Sequence, residues 1–191
     1  MKKDLYKKEF QTRDEAVKYC IKKGIQEKEI RDYRLDDVIP FSSRINSLAA
    51  TFMSNMYPCT LTYKGKTFNS VEQAFHYYCF TQFPQMQEQI MACKNAFEVK
   101  KIIKGAEKDG DYEQKKYRVL EHCLQLKYQQ CSRFRDFIKA SGNTPLVEWA
   151  EWGDVEFGCC KYEVDGDWRL IGQNACGRLM MKVRLANRKE N

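Results

Sequence analysis

Apolar positions along this chain recur on two periods, one near 3.6 and one near 2, and each change of period marks an element. Thr12 and Glu15 have capping-box spacing, and Ala16, Val17, Tyr19, Cys20 and Ile21 follow as an apolar face. A helix therefore opens there and stops at Gly24. A second helix is expected from about Gln26 towards Asp37, with a boundary at Pro40, since the residue before proline disfavours helix. Residues 1–40 read as a helical N-terminal extension of a domain covering 41–191. Over 59–68, CTLTY and KTF flank Lys64-Gly65 as a hairpin. Ser70 with Gln73 is a second capping box, leading into a stripe of Val71, Ala74, Phe75 and Tyr78. Further helices are expected over 86–92, 95–104, 113–130 and 132–140. Tyr117, Leu120, Leu124 and Tyr128 line one face of the longest, and Gly142 follows the last in the usual C′ position. After Gly158, CCKYEV and WRLI flank Asp165-Gly166, a good hairpin signal. A final helix runs from Ala175 to Leu185. The expected fold is α+β, a mostly helical single domain with two short β-hairpins.

Composition narrows the class. With 191 residues, 43% hydrophobic and 13% aromatic, the chain can bury a core and is not disordered over most of its length. No stretch approaches about 20 consecutive apolar residues, and Met1 to Phe10 lacks the apolar core of a secretory signal. The expectation is a soluble cytoplasmic protein with no membrane association. Nine cysteines are an odd number, no CxxC pair occurs, and only His76 and His122 could join them on a metal. The cysteines therefore read as small apolar residues kept reduced, with no disulfide framework, metal or cofactor.

Charge adds a pattern. The net charge is +7, yet residues 140–168 hold one basic and seven acidic groups, an island that includes Glu148, Glu151, Asp154 and Glu156. The basic remainder fits solvated helix faces first, and also a surface that attracts phosphates. Trp149, Trp152 and Gly153 lie among the acids, a mix of carboxylates and flat rings that suits a base or sugar ring and fits a rim of surface acids just as well.

Glu72 stands in the first turn of its helix, where the helix dipole favours a carboxylate, at the edge of the apolar stripe. Partly desolvated yet anionic, it fits a base or an ion-stabilising group. The same spacing also fits an ordinary N-terminal helix charge. His76 and Cys79 share its face, but i,i+3 neighbours on one helix rarely align as nucleophile and base.

Five segments then occur in a recognisable order: SNMYP (54–58), YKGKTFNSVEQAF (63–75), LVE (146–148), DVEFG (154–158) and GQNACGRLMM (172–181). Together, from about residue 41 to 186, they resemble the NADAR (YbiA-like) family of N-glycosidases. The resemblance implies a helical α+β domain that cleaves N-glycosidic bonds of ribose-phosphate compounds. Members are associated with removing ADP-ribose from guanine in nucleic acid, and others act on phosphoribosylamino-pyrimidine intermediates of riboflavin synthesis. By position, Glu72 falls on the family's catalytic glutamate, Asp154 on the aspartate of its D-x-x-W-G motif and Asn174 on its G-x-N loop. Tyr112 falls where an active-site tryptophan is usual. Where the family helix reads E-H-x-x-Q-x-x-K, this chain has Gln73, His76 and Cys79, and Phe157 replaces the motif tryptophan.

The resemblance implies Glu72 and Asp154 as catalytic residues, without a metal or other cofactor. Tyr112, Trp152 and Phe157 are then candidates to stack on the base, Asn55 and Asn174 to hold polar edges, and Arg44 and Arg178 to bind a diphosphate. The basic surface favours ADP-ribosylated single-stranded DNA, or RNA, as substrate. A free ribose-phosphate nucleotide and a non-catalytic binding role are the alternatives.

Overall fold

Asp165 and Gly166 have φ of 52° and 83°, two successive left-handed residues of a type I′ turn. They join β7 (Cys160–Val164) to β8 (Asp167–Gly172), which pair antiparallel with Cys160 opposite Ile171. The computed structural model describes residues 8–44 and 50–188. Both outer edges of this hairpin are covered by strands from the first 40 residues. Strand β1 (Glu9–Phe10) runs parallel to β7, and β2 (Arg31–Arg34) runs antiparallel to β8, giving the order β1-β7-β8-β2.

The first predicted helix is present as α1 (Arg13–Lys22), with Thr12 Oγ1 accepting the Glu15 N–H at 3.2 Å. The second expected helix, Gln26 towards Asp37, does not form. Short 3-10 turns at Glu27–Glu29 and Leu35–Asp37 bracket β2 instead. The cause is non-local: the outer edge of β8 offers a row of peptide groups that need partners, and local helix propensity is too weak to compete. A side-chain anchor reinforces the pairing. Asp32 Oδ1 accepts from Arg169 Nε at 2.8 Å, and Oδ2 accepts from the Tyr162 hydroxyl at 2.7 Å and from Arg13 Nε at 3.1 Å. Ala16 and Cys20 pack with Phe10, Ile25, Val155, Cys160, Tyr162 and Ile171 in one apolar cluster.

The residues group into two compact units. Met1–Thr51 and Ser141–Lys182 form the first, which also contains β3 (Ile39–Phe41) running parallel to β6 (Leu146–Glu148). Phe52–Ala140 and Val183–Asn191 form the second. Its hairpin of β4 (Leu61–Tyr63) and β5 (Lys66–Phe68) turns at Lys64-Gly65, with φ of 47° and 71°. Four further helices follow α2 (Val71–Cys79): α3 (Pro84–Ala92), α4 (Ala96–Ile102), α5 (Tyr112–Gln130) and α6 (Ser132–Ala140). Helix α2 packs against α3, α4, α5 and β5. The last helix, α7 (Ala175–Asn187), begins among residues of the first unit and ends among those of the second.

The class is α+β, with seven α-helices and eight strands among the described residues. Strands β1, β2, β3 and β6 lie beyond the two expected hairpins. Among the described residues, no helix is long and apolar enough to cross a membrane. All nine cysteines are free thiols.

Candidate active site

Helix α2 starts where the capping box requires. Ser70 Oγ accepts the Gln73 N–H at 3.1 Å, and Gln73 Oε1 reaches back to the Asn69 N–H at 2.7 Å. Such a cap contributes about 1 kcal/mol and fixes the rotation of the helix. That rotation buries Glu72, which is 5% exposed. Its backbone N–H donates to the carbonyl of Asn55 at 2.9 Å, so the expected Asn55 does adjoin Glu72, through its main chain.

The Glu72 carboxylate is held from two helices. His76 Nε2, one turn along α2, lies 2.8 Å from Oε1, and the Lys100 ammonium from α4 lies 2.8 Å from the same oxygen. Burial by itself would raise the carboxyl. The Lys100 charge, then His76, and hydrogen bonds from both outweigh it, bringing the carboxyl down from 4.5 to about 2. Glu72 is thus a buried carboxylate that stays anionic across the physiological range. It can stabilise developing positive charge and is a poor proton acceptor near neutrality. Cys79, on the same helix, is pushed up to about 12, chiefly by burial, with Lys115 opposing, so its thiol is not an ionised nucleophile.

Lys127 supports this corner. It lies fully buried on α5 and donates to the carbonyls of Phe52, Met53 and Ser54 at 2.9, 3.2 and 2.9 Å. Three carbonyls match the three ammonium protons, and they fix the segment that delivers Asn55 to Glu72. Tyr112 opens α5, is buried at 7% exposed, and has the Lys108 ammonium 4.0 Å from its ring centroid.

The remaining expected residues belong to the first unit. Asp154 is half-buried, and its Oδ1 accepts the N–H groups of Glu156 and Phe157 at 3.0 and 2.9 Å, closing a turn that brings Phe157 beside it. The loop before it is braced from the N-terminal segment: the Tyr19 hydroxyl donates to the Gly153 carbonyl at 3.1 Å, and the Lys8 N–H to the Glu151 carbonyl at 2.7 Å. Gly153 has φ of 93°, a backbone conformation that favours glycine, and a Cβ there would lie 2.7 Å from that hydroxyl and push the Tyr19 side chain aside. The Arg44 guanidinium lies 5.0 Å from the centre of the half-buried Trp152 ring. Asn174 is fully buried at φ 53°. Its Oδ1 accepts from the Glu148 N–H at 3.1 Å, and its Nδ2 donates to the Leu146 carbonyl at 2.9 Å and the Tyr33 hydroxyl at 3.4 Å. That amide holds β6 in place, and both of its ends already have protein partners. Arg178 is exposed in the first turn of α7.

Two lysines that shape the Glu72 corner were not among the expected site residues. Lys127 left a signal, since it interrupts the apolar face of Leu120, Cys123 and Leu124 at helical spacing. Lys100 left none: it is half-exposed, one of two adjacent lysines in an unremarkable basic run. Among the described residues, no group of three or more His, Cys, Asp or Glu is placed to hold a metal ion.

A small α+β fold carrying a buried, cation-paired glutamate at a capped helix start invites comparison with known proteins. A sequence model of the NADAR domain matches residues 41–186, and the chain belongs to the NADAR family. A riboflavin biosynthesis protein of Vibrio vulnificus (strain YJ016) is 26% identical over 141 residues, 70% of this chain. Those residues span only 34% of that relative's length. The solution structure of the Escherichia coli protein YbiA superposes with a TM-score of 0.66 at 21% identity, covering 81% of this chain and 87% of that one. That likeness is one of fold.

Proposed function

We propose that this protein is an N-glycosidase that hydrolyses a ribosyl–nitrogen bond, and that its substrate is ADP-ribose attached to guanine in single-stranded DNA. The observation that carries the reading is the Glu72 carboxylate, buried and held ionised by Lys100 and His76. Breaking a ribosyl–nitrogen bond builds positive charge on the sugar, and a fixed anion stabilises that oxocarbenium-like state. Water adds to C1′, the bond to the base nitrogen breaks with its electron pair on the base, and a water proton ends on the departing guanine. Asp154 positions water or assists that proton transfer. Arg44 and Arg178 bind the diphosphate, with Trp152 and Phe157 against the rings. A net charge of +7 supports a nucleic-acid substrate over a small one.

The Vibrio relative, named for riboflavin biosynthesis, favours a second reading in which the substrate is a free phosphoribosylamino-pyrimidine. Mass spectrometry separates the two. Incubating the protein with an oligonucleotide carrying ADP-ribosyl-guanine should remove the ADP-ribose mass, and Glu72→Gln should abolish the loss. Turnover of the free nucleotide alone would replace the DNA reading with the second. Salt-sensitive oligonucleotide binding with no turnover of either substrate would leave a binding module.

A further inference from the structure

The reaction proposed above needs a group that takes a proton from water, and Glu72, at about 2, is poorly matched to that task near neutral pH. One turn further along α2 lies His76, 6% exposed, its ring beside Phe75 and Phe80 with centroids 4.9 and 6.4 Å away. An ionised carboxylate only accepts, so the 2.8 Å contact to Glu72 Oε1 places the proton of the neutral ring on Nε2. The lone pair is then on Nδ1. That atom is buried and has no hydrogen-bond partner among the described residues. Buried acceptors are ordinarily satisfied, and one left without a protein donor marks a place where a ligand or water completes the bond. A carboxylate behind an imidazole also fixes its tautomer and stabilises the imidazolium that forms on proton uptake.

We infer that His76 is a catalytic residue whose Nδ1 removes a proton from the attacking water, with Glu72 orienting the ring. As the water oxygen bonds to C1′, its proton passes to Nδ1 and the C1′–N bond breaks with its electron pair on the base nitrogen. The imidazolium is held by the Glu72 carboxylate until the proton passes to the leaving base. Glu72 thus serves both the sugar's positive charge and the ring. This inference rests on the N-glycosidase reading.

The charged groups around α2 come from several elements. Helix α4 supplies Lys100, which meets Glu72 Oε1. Helix α5 and the loop before it supply Lys108, Asp109, Asp111 and Lys115, whose charges act on Cys79. The charged residue of α3 is Glu88, and that of β5 is Lys66.

The test is kcat for the ADP-ribosyl-guanine oligonucleotide from pH 5 to 9, with the wild type, His76→Gln and His76→Ala. The wild-type rate should rise with pH and then level off, as expected for a base that acts in its unprotonated form. His76→Gln should lower kcat about 100-fold with KM nearly unchanged and flatten that rise. His76→Ala should regain rate when imidazole is added, which a purely structural role would not produce. A wild-type profile flat below pH 8 overturns the inference without reference to any variant. So does a His76→Gln profile that keeps the wild-type rise with pH or a rate within twofold. A wild type inactive on both the oligonucleotide and the free nucleotide fails the N-glycosidase reading itself, and the role of His76 falls with it.

Discussion

Glu72 and Asp154, the two carboxylates that family resemblance singles out, are held by opposite means. Glu72 meets charged and ring nitrogens through one oxygen, and its environment sets its ionisation. Asp154 meets two peptide N–H groups, and its environment uses it to shape a turn. Each has a brace at longer range, Lys127 behind the segment leading to Asn55, and Tyr19 behind Gly153. A carboxylate held by a lysine and a ring nitrogen can be altered in charge without altering shape. One held by backbone amides cannot lose its acceptor without loosening its loop.

The sharpest break in this contrast is Glu72→Gln, which keeps shape and removes charge. It should lower kcat/KM by about 10²- to 10³-fold, read as initial rates of ADP-ribose release, while the protein still melts cooperatively. An activity within tenfold of wild type would remove Glu72 from the chemistry. Next comes its brace. Lys127→Met takes the ammonium from three inward carbonyls, of which that of Ser54 keeps the Tyr57 N–H, and should cost about 2–4 kcal/mol in urea denaturation. A loss below about 1 kcal/mol would mean that water replaces the ammonium.

Asp154 answers differently. Alanine there should lower stability by about 1–2 kcal/mol, whereas Asn keeps an acceptor oxygen and should stay within about 0.5 kcal/mol of wild type. Equal losses for the two would show that charge, not the turn, is what Asp154 contributes.

Glu72 also carries a pH signature. Its folded value lies below its ordinary 4.5, so the ionised carboxylate stabilises the fold above pH 4.5, and this contribution disappears as the pH falls towards about 2. The difference corresponds to about 3 kcal/mol. Lys100→Met should move this acid limb to higher pH. At pH 7 it should cost only about 1 kcal/mol, because the lysine is half-exposed. An acid limb unchanged in denaturant titrations from pH 3 to 7 would contradict the pairing. Smallest is Tyr19→Phe, which removes one hydroxyl and should cost about 0.5–1 kcal/mol in thermal or urea unfolding.

What the sequence made legible follows the range of the interactions involved. Both hairpins and the capped starts of α1 and α2 depend on residues a few positions apart, and Asp165-Gly166 or Ser70 with Gln73 states them locally. Strand β2 depends on an edge supplied by β8, with Asp32 and Arg169 137 positions apart, so the window around Gln26–Asp37 looked helical. The candidate site divides in the same way. Glu72 was visible from its place in the helix, while Lys100, which sets its ionisation, comes from another helix with no local mark. Asn174 stood out by motif, yet its work is to clamp β6 and Tyr33, a role that only the folded neighbourhood defines.

The strands that flank the β7–β8 hairpin have a consequence for how the molecule is made. Glu9 pairs with Lys161, and Arg31 with Gly172, so each of these strands, once synthesised, waits for a partner that lies far later in the chain. At typical elongation rates that delay is roughly 10–30 s, far longer than a helix or hairpin takes to form. During it, Phe10 and the apolar face of α1 have no sheet to cover them. Nascent chains paused within that interval should be the form most dependent on chaperones, and slower translation should lengthen their exposure.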